Sequence, residues 1–188
     1  MKKFVFLAAM TALTIAIADA QQTQRATTAP VFEGKTTLLR PVNYREWVFV
    51  GSSLGLSYAQ NPGANAGEMY HNVYIKSEAY REFAKTGKFP EGTVLAMELA
   101  SSDTKKEPGL QGSFEKELIG LEVAVKDSSR FESGWAYFNF TNRQGSSYLD
   151  KAEPFPASAG CVACHKQRGE TDNVFTQFYP VLRAAKPK

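Results

Sequence analysis

The 188-residue chain has few of the side chains that staple or cage a small protein: two cysteines and two histidines. Two cysteines allow one disulfide at most. A bridge between Cys161 and Cys164 would close so short a loop that chain entropy gains little. Cys161, Cys164, His165 and His71 are the only soft ligands besides methionine, and they are not spaced as a zinc finger. An excess of charge of one sign is missing too. Lys and Arg number 22 against 19 Asp and Glu, a formal +3, which argues against nucleic acid as the main partner. There is no internal repeat and no low-complexity tract. Past the N-terminus, no apolar run approaches the roughly 20 residues that a membrane helix needs. What is present is ordinary: 43% hydrophobic and 22% charged residues, in a length that suits one domain whose core needs no staples.

The N-terminus stands apart. Lys2 and Lys3 precede an apolar run from Phe4 to about Ala18, and Ala18-Asp19-Ala20 is a small-x-small triplet. That is the layout of a secretory signal peptide over residues 1–20; the alternative is an uncleaved anchor. Cleavage removes Lys2, Lys3 and Asp19 and takes the formal charge from +3 to +2. The expected product is periplasmic, free of the membrane, and in an oxidising compartment. Residues 21–38 are polar and read as a flexible lead-in, leaving 39–188 as the domain.

Within that domain, 41–51 reads as a helix with Tyr44, Trp47 and Val48 on one face and Gly51 as its stop. The turn residues of 61–68 mark a loop. Residues 70–76 alternate as a strand. Residues 77–87 read as a short helix between a Ser77 cap and Gly87. Two further strands follow at 92–101, with Leu95, Met97 and Leu99 on one face, and at 116–128, with Ile119, Leu121, Val123 and Val125 together. The polar stretch 102–115 between them reads as a hairpin loop. Residues 134–142 are aromatic and strand-like. The segment 151–160 is irregular, with two prolines, and a short helix is expected over 171–178, stopped before Pro180. The sum is an α+β fold, a mostly antiparallel β-sheet with short flanking helices. Long bundle helices are not in the pattern.

Three of the four cysteines and histidines fall within five positions, in Cys161-Val162-Ala163-Cys164-His165. This is Cys-x-x-Cys-His, the attachment signal of a c-type haem. Two thiols three positions apart each add to one haem vinyl group, and the adjacent histidine ligates iron. A thioredoxin-type pair would instead sit near a βαβ pattern at a helix start, whereas this one follows a proline-rich stretch. One covalent haem c per chain is therefore expected, held by Cys161 and Cys164 with His165 as the metal ligand. Once Met1 and Met10 leave with the leader, Met69, Met97 and His71 remain as ordinary candidates for the other axial position. The residues leave open whether that position is filled, as in electron carriers, or vacant.

The run CVACHKQRGETDNVFTQFYPVLRAAK, with NYREWVFVG, YREFAKTGKFPEGTV and IGLEVAVKDSSRF, resembles the cytochrome P-460 family from about Pro41 to Lys186. The resemblance implies a small antiparallel β-domain, usually a homodimer, with one c-type haem on the motif histidine and an open distal site. It further implies action on small nitrogen species: hydroxylamine is oxidised to nitrous or nitric oxide by members with a lysine bonded to the haem edge. Electrons then pass to a periplasmic acceptor. Related β-type cytochromes c-prime lack that bond and bind nitric oxide or carbon monoxide. The family's proton-handling glutamate lies in a GLE segment, here Gly120-Leu121-Glu122. Alternation sets Glu122 opposite Ile119, Leu121 and Val123, beside Gly120 and Ala124, whose small size leaves room for a flat ring; the plain alternative is a strand glutamate facing water. The cross-linking lysine position is Met97, for which core packing, a sulfur–haem bond and iron ligation are the three roles available. His71 lies where relatives carry a basic residue; it either bonds ligand and shuttles protons or serves the strand alone.

Overall fold

The computed structural model describes residues 29–56, 68–142 and 148–187. The leader, residues 21–28 of the lead-in and the 61–67 part of the expected loop lie outside these. The strands are β1 (Phe32–Glu33), β2 (Thr37–Leu39), β3 (Val48–Leu54), β4 (Met69–Ile75), β5 (Val94–Glu107), β6 (Leu110–Lys126), β7 (Trp135–Asn139) and β8 (Lys151–Ala152). The helices are α1 (Ser77–Thr86), α2 (Gly160–Arg168) and α3 (Pro180–Ala185). One sheet has the order β3-β4-β5-β6-β7 and the other β1-β2-β8, and every pairing is antiparallel. The α+β reading, mostly antiparallel sheet with short helices, therefore holds. No helix among the described residues is long and apolar enough to cross a membrane.

The large sheet is buried on both faces because its central strands are apolar in both registers. On one face Val73, Ile75, Leu95 and Tyr137 pack against Phe83 of α1, Phe89, and the C-terminal Phe175, Tyr179 and Leu182. On the other, Ala96, Leu121, Val123 and Phe138 pack against Leu38 and Ala152 of the small sheet and Tyr44. Each large side chain so buried contributes about 1.5–3 kcal/mol. Helix α1 shows how local sequence meets this core. Ala79 and Phe83, four apart, share the buried stripe. Gly87, at φ 71°, ends the helix with its N–H on the Phe83 carbonyl.

Five expectations need correction. Residues 41–51 are not a helix: a single 3-10 turn at Tyr44–Glu46 gives way to β3. The β-branched and aromatic run Val48-Phe49-Val50 prefers the sheet. Gly51 sits at a bulge with φ 148°, where an added Cβ would come within 3.2 Å of Tyr179. Residues 102–115 are not a loop, because β5 and β6 run on as a protruding hairpin turning at Pro108 and Gly109. Its side chains are mostly exposed and polar, and the two large apolar ones, Leu110 and Phe114, do not make an alternating row, so no apolar alternation marked it. The end of the 21–38 lead-in is not flexible chain: β1 and β2 lie within it, and Leu38 is fully buried. Pro180 opens α3 instead of stopping a helix, since its missing N–H costs nothing in the first turn; residues 176–178 make only a 3-10 turn. Finally, Ser77 is the first helical residue and Lys76 the cap position.

Candidate functional site

Alternation along three strands brings one row of side chains to the C-terminal side of the sheet. Val73, Met97 and Glu122 are consecutive cross-strand partners in β4, β5 and β6; Leu95 and Ala124 pair in the next row. Helix α2 and the segment after it cover this face, and between them lies a pocket enclosing about 660 Å³ of space, part of it open to solvent. Met97, Glu122, Tyr137, Cys161, His165 and Phe175 line it. The interior is otherwise apolar, with Leu95, Ala124, Phe155 and Val174 among the lining.

The motif sits on a helix, directly after the segment 151–160 read as irregular. Gly160–Arg168 is helical, so positions 161, 164 and 165 share one side. Both cysteines are unbridged and half-buried. Cys161 lines the pocket, and Cys164 packs against the same core. The His165 ring is held between Tyr137 and Phe175, at centroid distances of 4.4 and 4.5 Å. Its Nδ1 lies 2.9 Å from the Asn173 carbonyl oxygen. A carbonyl only accepts, so Nδ1 carries the proton and Nε2 keeps its lone pair. The Tyr137 hydroxyl makes a longer approach of 3.5 Å to the same carbonyl. Burial lowers the pKa of His165, against a weaker raising effect of the Asn173 bond, so the ring is neutral.

Burial raises the pKa of Glu122. An apolar lining disfavours the carboxylate, which gives the pocket one carboxyl able to exchange a proton at higher pH than usual. The room around it is not the room expected. Ala124 does line the pocket, but the space beside Gly120 is already filled: a Cβ there would sit 2.7 Å from Thr141 Oγ1 and 3.0 Å from Leu99 Cδ1.

The sequence candidates thus converge incompletely. Cys161, His165, Glu122 and Met97 line one pocket, whereas His71 does not. It is on the same face as Val73, one row further along, paired with Leu99 and 4% exposed. Burial lowers its pKa, and a bond with the Ser53 backbone opposes this more weakly. Met69, the other methionine, lies at the start of β4 and outside the lining. Two groups escaped sequence reasoning. The Asn173 carbonyl is one; a backbone acceptor leaves no trace in residue type. The other is Glu98, 3% exposed on the opposite face of β5, where it accepts bonds from Tyr44, Arg45 and Tyr148.

These residues fit a haem. His165 gives the pocket a neutral imidazole whose Nε2 keeps its lone pair, suited to iron already held in a macrocycle. Among the described residues no three His, Cys, Asp or Glu side chains gather as a metal cage. Two unbridged thiols flank an apolar, aromatic-walled pocket, as a porphyrin requires. The antiparallel domain and this site together have the make-up of a small haem cytochrome. The sequence model of the family Cytochrome P460 matches residues 41–176, and the chain belongs to that family. A search of curated proteins finds no match to the chain.

Proposed function

We propose that the mature protein is a periplasmic mono-haem c-type cytochrome that oxidises hydroxylamine. The observation carrying this reading is that Glu122, a carboxyl with a raised pKa, shares one apolar pocket with the motif histidine. Cys161 and Cys164 would hold the haem by thioether bonds, each S–H adding across a vinyl group with the proton going to the second vinyl carbon and no net oxidation. His165 offers Nε2 to iron. Two hydroxylamine molecules yield nitrous oxide and water with release of four protons and four electrons. A haem held there would supply an iron centre able to take up those electrons, for an external periplasmic acceptor to remove. Glu122 accepts protons from the substrate, and burial makes its carboxylate a stronger base than an exposed one. Met97, Leu95 and Val73 make its strand wall apolar. His71, outside the lining, holds a neutral imidazole in the next row and takes no part in the first proton transfer.

A second reading rests on Met97. The resemblance implies a cross-linking lysine at that position in some relatives, and a thioether has no N–H with which to form such a bond. An apolar residue at that point suits binding of nitric oxide or carbon monoxide without turnover. Holo-protein assayed with hydroxylamine and an artificial electron acceptor separates the two. Turnover that is lost in Glu122→Gln supports the enzyme; tight gas binding with no turnover in the unsubstituted protein overturns it in favour of the second reading.

A further inference from the structure

The carbonyl that fixes His165 sits on an unusual piece of backbone. Thr171 and Val174 bridge each other across Asp172 and Asn173, and both central residues have positive φ, 50° and 62°. That is the type I′ geometry, which favours Asn-Gly and makes two non-glycine residues cost strain. Something must hold it. Asp172 Oδ2 lies 2.6 Å from Lys126 Nζ on β6, and Oδ1 accepts the indole N–H of Trp135 on β7 at 3.2 Å. Lys126 is itself tied down, donating to the Phe89 carbonyl at 2.8 Å, with its side chain only 17% exposed. From the helix side, Gly169 lets the turn close in: a Cβ there would fall 2.6 Å from the Asn173 carbonyl carbon.

We propose that Asp172 is a positioning residue for the iron ligand: by gripping Lys126 and Trp135 it locks the turn that aims the Asn173 carbonyl at His165 Nδ1. Asp172 does not itself line the pocket or bond His165, although its partner Trp135 and its neighbour Asn173 are part of the lining. A carbonyl accepting the far N–H of a ligating imidazole orients the ring and raises its basicity, which favours the ferric state. Asp172 therefore sets the potential of the bound haem from outside the pocket. The inference rests on the proposed haem ligation by His165.

The test uses holo-protein made with a cytochrome c maturation system. Attachment of haem is read from the pyridine haemochrome, midpoint potential by redox titration, and the iron–histidine stretching band by resonance Raman of the ferrous form. Asp172→Ala should keep its haem, raise the potential by about 59 mV, the equivalent of a tenfold change for one electron, and lower the stretching frequency. Lys126→Met, also outside the pocket lining, should shift both in the same direction. Asp172→Asn, which still accepts from Trp135, should fall between and serves if the alanine variant does not fold. Variants that melt earlier but keep the unsubstituted potential and band give Asp172 a structural role only and overturn the proposal. Unsubstituted protein without haem overturns it together with the ligation on which it rests; the haemochrome tells the two failures apart.

Discussion

Met97 and Glu122 are direct cross-strand partners in β5 and β6, and both line the pocket that holds His165. Directly opposed side chains stand about 5 Å apart at Cβ. The residue that replaces the expected lysine and the residue expected to handle protons are therefore neighbours, and each can be tested against the other.

Glu122→Gln should lower hydroxylamine turnover by roughly 10²–10⁴-fold, the usual range for a general base. It should also change stability in a pH-dependent way. Burial raises the folded-state pKa above the ordinary 4.5, so folding holds the proton more tightly. That stabilisation is complete below pH 4.5 and is lost as pH rises through the raised value. Glutamine never ionises. The variant should melt with the unsubstituted protein in acid and above it in alkali. Parallel melting curves across that range would place Glu122 in water.

Met97→Lys places an amine opposite Glu122. If the position corresponds to the family's lysine, as the resemblance implies, holo-protein should show the red-shifted ferrous Soret band of a cross-linked haem. The unsubstituted protein should show an ordinary high-spin c-type spectrum. An unlinked spectrum in the variant would show that Met97 is not the corresponding position. A low-spin ferric spectrum in the unsubstituted protein would mean that a side chain fills the sixth position, and would count against both proposed functions.

Much of this site was legible because its chemistry is local. Cys161, Cys164 and His165 announce themselves by spacing, and the period of two assigned Glu122 its face. The helix under the motif was not, because α2 has no buried residue and hardly any amphipathic stripe; the side with Cys161, Cys164 and His165 meets the pocket and the core beside it. The space for a ring was sought beside Gly120, but Thr141, 21 positions on, occupies it. Glu98 reads from sequence as a polar residue between Met97 and Leu99; its partners are 50 to 54 positions away. Alternation tells which way a side chain points, and only the tertiary fold tells what waits there.

His71 gives a sharper division between fold and function. Burial lowers its pKa below 6.5, outweighing the Ser53 backbone bond. Folding therefore favours the neutral ring. The stability this brings is present above pH 6.5 and is lost as pH falls through the lowered folded value. His71→Gln should flatten the stability profile on the acid side of 6.5 in chemical denaturation. Because the imidazole stands outside the pocket lining, turnover at pH 7.5 should stay within about threefold of the unsubstituted rate, well short of a general-base loss. A fall as deep as that of Glu122→Gln would put His71 on the proton route after all.

The buried Glu98 explains why the face of the sheet away from the pocket tolerates a charge. Its carboxylate takes the Tyr44 hydroxyl and two Arg45 nitrogens, and the Tyr148 hydroxyl approaches at 3.3 Å. Tyr44 is 4% exposed, and its phenol pKa is driven well above normal, first by burial and then by this bond. Arg45 differs: its side chain is 55% exposed, so water screens the pair. Losing the partner of a fully buried charge costs about 3–5 kcal/mol. Arg45→Met should cost less, about 1–3 kcal/mol, near the value of a hydrogen bond to a charged group. Tyr44→Phe should cost a similar amount, and each kcal/mol lowers the melting temperature by roughly 2–4 °C in a chain of this size. Both substitutions draw on one carboxylate, so the double variant should depart from additivity by at least about 0.5 kcal/mol. Glu98→Gln should be milder than Arg45→Met, since it removes the buried charge and leaves the half-exposed guanidinium to water. If Arg45→Met melts within about 1 °C of the unsubstituted protein, the two phenols alone carry the carboxylate, and the arginine is a surface residue that merely lies nearby.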